Sequence, residues 1–142
     1  MLTVVDPLSA ICSLIRDETR LTTIHGGRVF GIELPDSEAQ SMPRSAVVIS
    51  HSGGLSLGQG ARSTVPIVTS RMDVKSFGAT PVDCSNLHWN IHHYLVNLKR
   101  VLIADSLIHS VVVSGGTLPL RDPDTDWPYF LASYDIIVSN EY

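Results

Sequence analysis

The chain has 142 residues, a length typical of one domain, and its hydrophobic fraction of 44% is enough to build a core. Only 17% of the residues are charged, so we expect part of the uncharged surface to be buried against another subunit. Lys and Arg number 10 against 14 Asp and Glu, and the resulting net charge of -4 argues against a general nucleic-acid binder. We therefore predict one domain over residues 1–142.

The first half of the chain predicts one helix followed by three strands. Asp6-Pro7 is a typical helix start, and Leu8, Ile11 and Ile15 then recur at helical spacing in a helix that runs to about residue 19 or 20. Strands are predicted over residues 28–34, 46–50 and 64–77, the last with a bend or bulge that switches faces. Residues 36–43 are predicted as a surface loop, and residues 51–63 as a flexible glycine-rich loop inside a hairpin.

The second half predicts a long helix and two more strands. The helix follows Pro81, and its apolar residues recur at helical spacing over about five or six turns: Leu87, Ile91, Leu95, Leu98 and Leu102. Strands are predicted over residues 108–113 and 129–139, the first stopped by two glycines. The order α-β-β-β-α-β-β favours an α+β fold, a mainly antiparallel β-sheet with two helices packed on one face. The other face is then half polar or covered by a neighbour.

The two cysteines and the N-terminus indicate where the protein is found. Cys12 and Cys84 lie in predicted helices without metal-ligand spacing, so we expect reduced, buried thiols. The N-terminus lacks a signal-peptide pattern, and no apolar run approaches the roughly 18 residues of a membrane span. We expect a protein that is neither secreted by a signal peptide nor associated with a membrane.

The segment Gly54-Leu55-Ser56-Leu57-Gly58 matches the GxSxG string of a serine nucleophile elbow. An elbow leads from a strand into a helix, whereas this segment leads to another predicted strand. The chain is also too short for the sheet of an α/β-hydrolase. We interpret the segment as a flexible loop.

Three aspartates, Asp122, Asp124 and Asp126, have the alternate spacing that opens a calcium-binding loop. Trp127 stands where that loop needs glycine, and Ser133 stands where it needs a bidentate glutamate. We interpret the segment as an Asp- and Pro-rich turn whose carboxylates cap local amides and hold Arg121.

His88 and His92 lie one helical turn apart and could hold zinc, with His93 or His25 as a further ligand. Nothing else in the sequence supports such a site, because Trp89 follows His88 and an HExxH motif is absent. We interpret these residues as histidines at a partly exposed helix edge. No catalytic residue, metal site or cofactor is predicted, so we expect a protein that is not an enzyme.

Short motifs along nearly the whole chain resemble those of one protein family. They include Asp6-Pro7-Leu8, Arg28-Val29-Phe30-Gly31, Leu34-Pro35, Pro43-Arg44-Ser45-Ala46-Val47-Val48, Arg71-Met72-Asp73-Val74, Phe77-Gly78 and Ser114-Gly115-Gly116. The most specific is Arg121-Asp122-Pro123-Asp124-Thr125-Asp126-Trp127-Pro128. The chain resembles the tail terminator (tail completion) proteins of long-tailed bacteriophages with non-contractile tails.

This resemblance implies a small α+β subunit of a structural, homohexameric ring. The ring caps the head-proximal end of the phage tail tube, stops its polymerisation and offers a docking surface for the head. The implied partners are other copies of the chain, the major tail tube protein and the head-tail connector. DNA would pass through the lumen without specific binding, and the protein would be found in the virion and, during assembly, in the host cytoplasm. The alternatives are a head-closure (neck) protein of the same virion and a small ligand-binding or hydrolytic domain.

Three groups of residues are candidate contacts in such an assembly. A long glycine-rich loop can become ordered on a partner, and its candidates are Gly53, Gly54, Leu55, Leu57, Gln59 and Arg62. Tryptophan beside Arg and Asp is a typical anchor composition, and the turn supplies Arg121, Asp122, Asp124 and Trp127. Trp127 could equally be core at a strand start. Arg71 and Asp73 share one strand face and either pair across a subunit boundary or form an ordinary solvated cross-strand pair.

Overall fold

A computed structural model of the chain describes residues 6–57, 67–103 and 106–140. The helices within these ranges are α1 (Pro7–Asp17), α2 (Thr19–His25), α3 (Asp36–Ala39) and α4 (Pro81–Val96). The strands are β1 (Val29–Gly31), β2 (Ala46–Leu57), β3 (Ile67–Phe77), β4 (Val101–Ile103), β5 (Ser106–Arg121) and β6 (Pro128–Asn140).

All six strands join one sheet in the order β1-β2-β3-β6-β5-β4. β1 runs parallel to β2, and every other neighbouring pair is antiparallel. Two long hairpins, β2–β3 and β5–β6, form the centre of the sheet. The predicted fold class, α+β with a mainly antiparallel sheet, is confirmed.

The first helix begins where the sequence predicts. Asp6 Oδ1 accepts a hydrogen bond from the Ser9 amide at 3.1 Å, and Pro7 occupies the first turn. The predicted end near residue 19 is slightly too late, because Glu18 has an extended backbone and separates α1 from α2. Residues 19–25 form the second helix, α2, which the sequence did not predict and which ends at Gly26 in the left-handed conformation with a φ of 60°.

The long helix also begins as predicted but is shorter. The Asp83 amide donates to Thr80 Oγ1 at 3.3 Å and caps the helix. A Cβ on Gly78 would lie only 2.7 Å from the Cys84 amide nitrogen, so the chain just before α4 requires glycine at this position. The prediction of five or six turns is wrong, because α4 ends at Val96. Leu102 lies in β4, where the β-branched neighbours on either side favour a strand paired with β5.

Two strands extend beyond their predicted ends. β2 continues through Leu57, although residues 51–63 were predicted as a loop, and β5 continues through Arg121 past the glycine pair predicted to stop it. In both cases the hairpin partner supplies backbone hydrogen bonds that outweigh the low strand propensity of glycine. β-Bulges accommodate the shifts in register between the paired strands, and the bulge in β2 places Gly53 at a φ of 129°.

Two smaller predictions also differ from the structure. β3 keeps an unbroken register against β6, so the predicted bend lies in β2 instead. The predicted surface loop over residues 36–43 contains the short helix α3, where Glu38 accepts two hydrogen bonds from Arg44, at 2.8 and 2.7 Å. The hairpin of β2 with β3 is confirmed.

The main core lies between the helices and one face of the sheet. Its fully buried residues include Ile11, Ile15, Ile49, Met72, Leu87, Ile91, Leu95, Ile108 and Val138. A second, smaller cluster lies around Ala46, Val48 and Phe77, with Trp127 and Tyr129 packed against it. Neighbouring residues of β2 thus contribute to different clusters, as expected for a strand whose side chains alternate between faces.

We expect Ile91→Ala to lower the free energy of unfolding by about 2–5 kcal/mol, because it opens a cavity under α4 where Ile91 is 0% exposed. Val82→Ala, at a position of the same helix that is 76% exposed, should change stability by less than about 0.5 kcal/mol. Urea denaturation followed by circular dichroism measures both. Equal losses in the two variants would contradict the placement of the core.

Candidate functional site

The face of the sheet turned away from α1 and α4 has a polar centre. Arg71 Nε lies 3.1 Å from Asp135 Oδ1, and the two residues are direct cross-strand neighbours on β3 and β6. One pair further along, Ser133 Oγ donates to Asp73 Oδ1 at 2.5 Å. Arg71 thus forms a cross-strand ion pair within the chain. A contact of Arg71 or Asp73 with a neighbouring subunit stays a prediction.

An apolar row flanks this polar centre on β5. Val112 is 54% exposed and Leu118 is 52% exposed, and they are the cross-strand neighbours of Asp135 and Leu131 on β6. Leu120, next along the row, faces the same side opposite Tyr129. The open face therefore joins an ion pair to exposed aliphatic side chains, a combination typical of surfaces that recognise other proteins.

The turn between β5 and β6 is held by its own side chains. Asp122 Oδ1 accepts hydrogen bonds from the amides of Asp124 at 2.9 Å and Thr125 at 3.1 Å, which lowers the pKa of Asp122. Arg121 Nη1 donates to the carbonyl oxygen of Asp126 at 3.0 Å. The interpretation as an Asp-rich, self-capped turn is confirmed. The exposed parts of this turn remain available to a partner.

Trp127 lies at the base of this turn and is half buried. Its ring meets Phe77 edge to face, with 6.4 Å between centroids and 84° between planes. The structure thus gives Trp127 a packing role at the start of β6, and its role as an anchor for a partner stays a prediction.

A cleft of about 330 Å³ opens beside the turn. Its lining is apolar except for one arginine: Pro81, Pro119, Leu120, Arg121, Pro128, Tyr129 and Phe130. The sequence does not predict this cleft, because its prolines come from three separate elements that only the fold brings together.

The histidines of α4 are bound to neighbouring side chains. His88 Nε2 lies 2.9 Å from Thr117 Oγ1, and His92 Nδ1 lies 2.9 Å from the Tyr134 hydroxyl. His88 is 1% exposed, so its assignment to a partly exposed helix edge is wrong. Burial, with a smaller effect of His92, lowers the pKa of His88 to about 4, and the ring is uncharged at neutral pH.

The zinc alternative gains no support from the described residues. His25 Nε2 lies 2.9 Å from the carbonyl oxygen of Ile15, in a different part of the fold from His88. Among residues 6–57, 67–103 and 106–140, no three His, Cys, Asp or Glu side chains are grouped closely enough to hold a metal ion.

The GxSxG segment lies inside the β2–β3 hairpin. Its first four residues belong to β2, and the backbone of Ser56 pairs with Val68 of β3. This antiparallel pairing is not the strand-to-helix turn of a nucleophile elbow. Gly53, Gly54, Leu55 and Leu57 are strand residues rather than loop residues, and Gln59 and Arg62 lie outside the described residues.

Both cysteines are buried free thiols, as predicted. Burial raises the pKa of Cys12 and of Cys84 to about 11, which makes both thiols poor nucleophiles.

In the part of the chain that the structure describes, no helix has the length and apolar character needed to cross a membrane.

Comparison with known proteins shows the fold. The sequence matches no protein-family model and no curated protein. Among solved structures, a chain of "Virion of native gene transfer agent (GTA) particle" is similar with a TM-score of 0.62 and 12% identity. The likeness covers 94% of this chain and 95% of that chain. At this identity it establishes a shared fold over almost the whole length of both chains.

The buried His88 predicts a specific pH dependence. Its folded-state pKa of about 4 lies below the ordinary value of 6.5, so below pH 6.5 the unfolded chain binds a proton that the folded chain does not. We expect the free energy of unfolding to fall as the pH is lowered from 6.5 towards 4, and this contribution to level off below 4. His88→Gln should be less stable at pH 7 but lose less stability over that interval. Urea titrations of both proteins at pH 7, 5.5 and 4 measure the difference, and identical slopes would contradict it.

Proposed function

We propose that the chain is a structural protein of a phage-like virion and forms a ring that caps the head-proximal end of the tail tube. The observation that carries the proposal is the fold likeness to a chain of a gene transfer agent virion over 94% of this chain. The motif resemblance to tail terminator proteins supports the finer assignment. In this role the protein stops tube polymerisation and offers a docking surface for the head connector.

This role requires recognition rather than bond chemistry. A terminator has to match the growing end of the tube and present an opposite surface that cannot accept another tube subunit. The open face of the sheet includes residues of β3, β5 and β6, and the turn at residues 121–127 that joins β5 to β6 differs from it in composition. The face joins aliphatic side chains to the Arg71–Asp135 ion pair, whereas the turn displays Asp124 and Arg121 around a half-buried tryptophan. Two such surfaces are suited to different partners.

The proposed ring contains six copies of the chain. A ring forms when a surface of one copy binds a different surface of the next and the rotation closes. Exposed Val112, Leu118 and Leu120 supply apolar area for such a contact without displacing core residues. Each chain has a net charge of -4, which argues against strong binding of the DNA that passes through such a ring.

The proposed contact residues fall into the three groups named from the sequence. Gly53, Gly54, Leu55 and Leu57 lie in the outer part of the β2–β3 hairpin, which Gln59 and Arg62 continue in sequence. Arg71 and Asp73 lie at the polar centre of the open face. Arg121, Asp122, Asp124 and Trp127 form the turn. No cofactor and no catalytic step enters this function.

Electron microscopy of the protein mixed with tail tubes of the same virion tests the role. We expect rings at one end of each tube and no further elongation when free tube subunits are added, with untreated tubes as the control. Tubes that continue to elongate without bound protein at either end would contradict the proposal. Binding to DNA-filled heads in preference to tubes would assign the protein to the neck as a head-closure protein.

Trp127→Ala tests the turn as a contact with the tube. We expect the variant to need at least about tenfold more protein to cap tubes, because an aromatic anchor at an interface typically contributes more than about 1.4 kcal/mol. Trp89→Ala is the matched control, since Trp89 is 50% exposed on α4, away from the turn. Circular dichroism verifies that both variants are folded. Capping by folded Trp127→Ala at wild-type concentration would remove Trp127 from the contact surface.

A further inference from the structure

The sheet has an open outer edge on β2. The short strand β1 pairs only with Val47, Val48 and Ile49, and Ile32 adds one further hydrogen bond to the Ile49 carbonyl at 2.7 Å. Beyond that point β2 continues to Leu57. Among the described residues, no strand pairs with the outer side of residues 51–57.

The opposite edge of the sheet is open on β5. The short strand β4 pairs only with residues 106–108 of β5, which continues to Arg121. Within the described ranges, no strand pairs with the outer side of β5 from residue 109 onward. Bulges interrupt β5 on both sides of residues 110–113, which keep consecutive register with β6. This regular stretch contains Val112 and the exposed Val113.

Part of each open edge is without the residues that usually protect it, although Pro119 and Arg121 lie further along β5. Natural edge strands commonly carry lysine or proline, which prevents pairing with another chain. Residues 51–57 and 110–113 contain no Lys, Arg, Asp, Glu or Pro. Exposed backbone donors and acceptors at such an edge are well suited to adding another strand.

Strand directions decide which edges suit each other. β2 is antiparallel to β3, β3 to β6, and β6 to β5, so β2 and β5 of one chain run in opposite directions. Copies related by rotation about an axis parallel to the strands therefore bring β5 of one copy beside β2 of the next in antiparallel orientation. The two stretches also lie at the same level of the sheet, since Val112, Asp135, Arg71 and Gly53 are successive cross-strand neighbours.

We propose that residues 110–113 of β5 form an antiparallel pair with residues 51–53 of β2 of a second copy, which extends the sheet across the subunit boundary. This pairing uses both open edges of every copy, whereas β5 against β5 would leave each β2 edge open. It joins unlike surfaces and repeats from copy to copy, as a ring requires. The inference rests on the proposed function only for the closure of the series at six copies.

Disulfide trapping between copies tests the pairing. Directly opposed residues of antiparallel strands have Cβ atoms about 4.5–5.5 Å apart, within reach of a disulfide after small adjustment. We combine Val112→Cys or Val113→Cys with His51→Cys or Ser52→Cys in four double variants. Oxidised at millimolar protein concentration, at least one should give a ladder of covalent species larger than dimers. Cys12 and Cys84 remain in place because both are buried.

Single variants and a charge substitution provide the controls. Val112→Cys alone should give no covalent ladder, and efficient dimers from it would show β5 pairing with β5 and overturn the proposal. In analytical ultracentrifugation, the Val112→Lys variant should be monomeric at concentrations at which the wild-type protein self-associates. Val82→Lys, the same change at an exposed position of α4, should self-associate like the wild-type protein. Monomers alone from all four oxidised double variants would also overturn it.

The two proposals fail in different ways. Rings at tube ends without trapping in any double variant would leave the capping function intact and reject the edge pairing. A covalent ladder from a double variant, together with an absence of binding to tubes, would keep the pairing and reject the capping function.

Discussion

The fold depends on the burial of one face of a sheet whose strands are longer than the helices that cover it. β6 has 13 residues and spans roughly 43 Å at about 3.3 Å per residue. The longest helix, α4, has 16 residues and spans roughly 24 Å at about 1.5 Å per residue. The helices can therefore bury a central band of one face, and the remaining sheet surface has to be stabilised by other means.

Several polar groups of the covered band are buried together with partners. Tyr134 is almost fully buried in the sheet, and its hydroxyl lies 2.9 Å from His92 Nδ1 of α4. His88 meets Thr117 of β5, and Cys84 Sγ lies 3.1 Å from the carbonyl oxygen of Pro128. These contacts attach α4 to both strands of the β5–β6 hairpin. Breaking one of them would leave a buried polar group without a partner, at a cost of about 1–3 kcal/mol. Histidines that could suggest a metal site therefore serve to position the helix.

Outside the band, the surface is suited to recognition. The open face carries the Arg71–Asp135 pair beside exposed aliphatic side chains, and the outer edges of β2 and β5 extend past the short strands that pair with them. Long hairpins, a partly covered sheet and open edges are costly in an isolated monomer, where they invite aggregation. They become an advantage in an assembly that covers them. The proposed virion role and the proposed edge pairing would both give the uncovered surface a partner.

Features that depend on local chemistry follow from the amino-acid sequence alone. Asp6-Pro7 and Thr80-Pro81 set the helix starts through capping, the apolar periodicity of α4 identified its buried face, and the Asp-rich turn follows from side chains that bond to adjacent amides.

The ends of β2, β5 and α4 depend instead on contacts between distant segments of the chain. Leu102 continues a helical pattern but lies in a strand. The glycines at positions 53 and 115 also lie within strands. In each case cross-strand hydrogen bonds from distant segments outweigh local propensity. The open face, the cleft and the free edges likewise arise from residues far apart in the chain, and their positions depend on strand order and register.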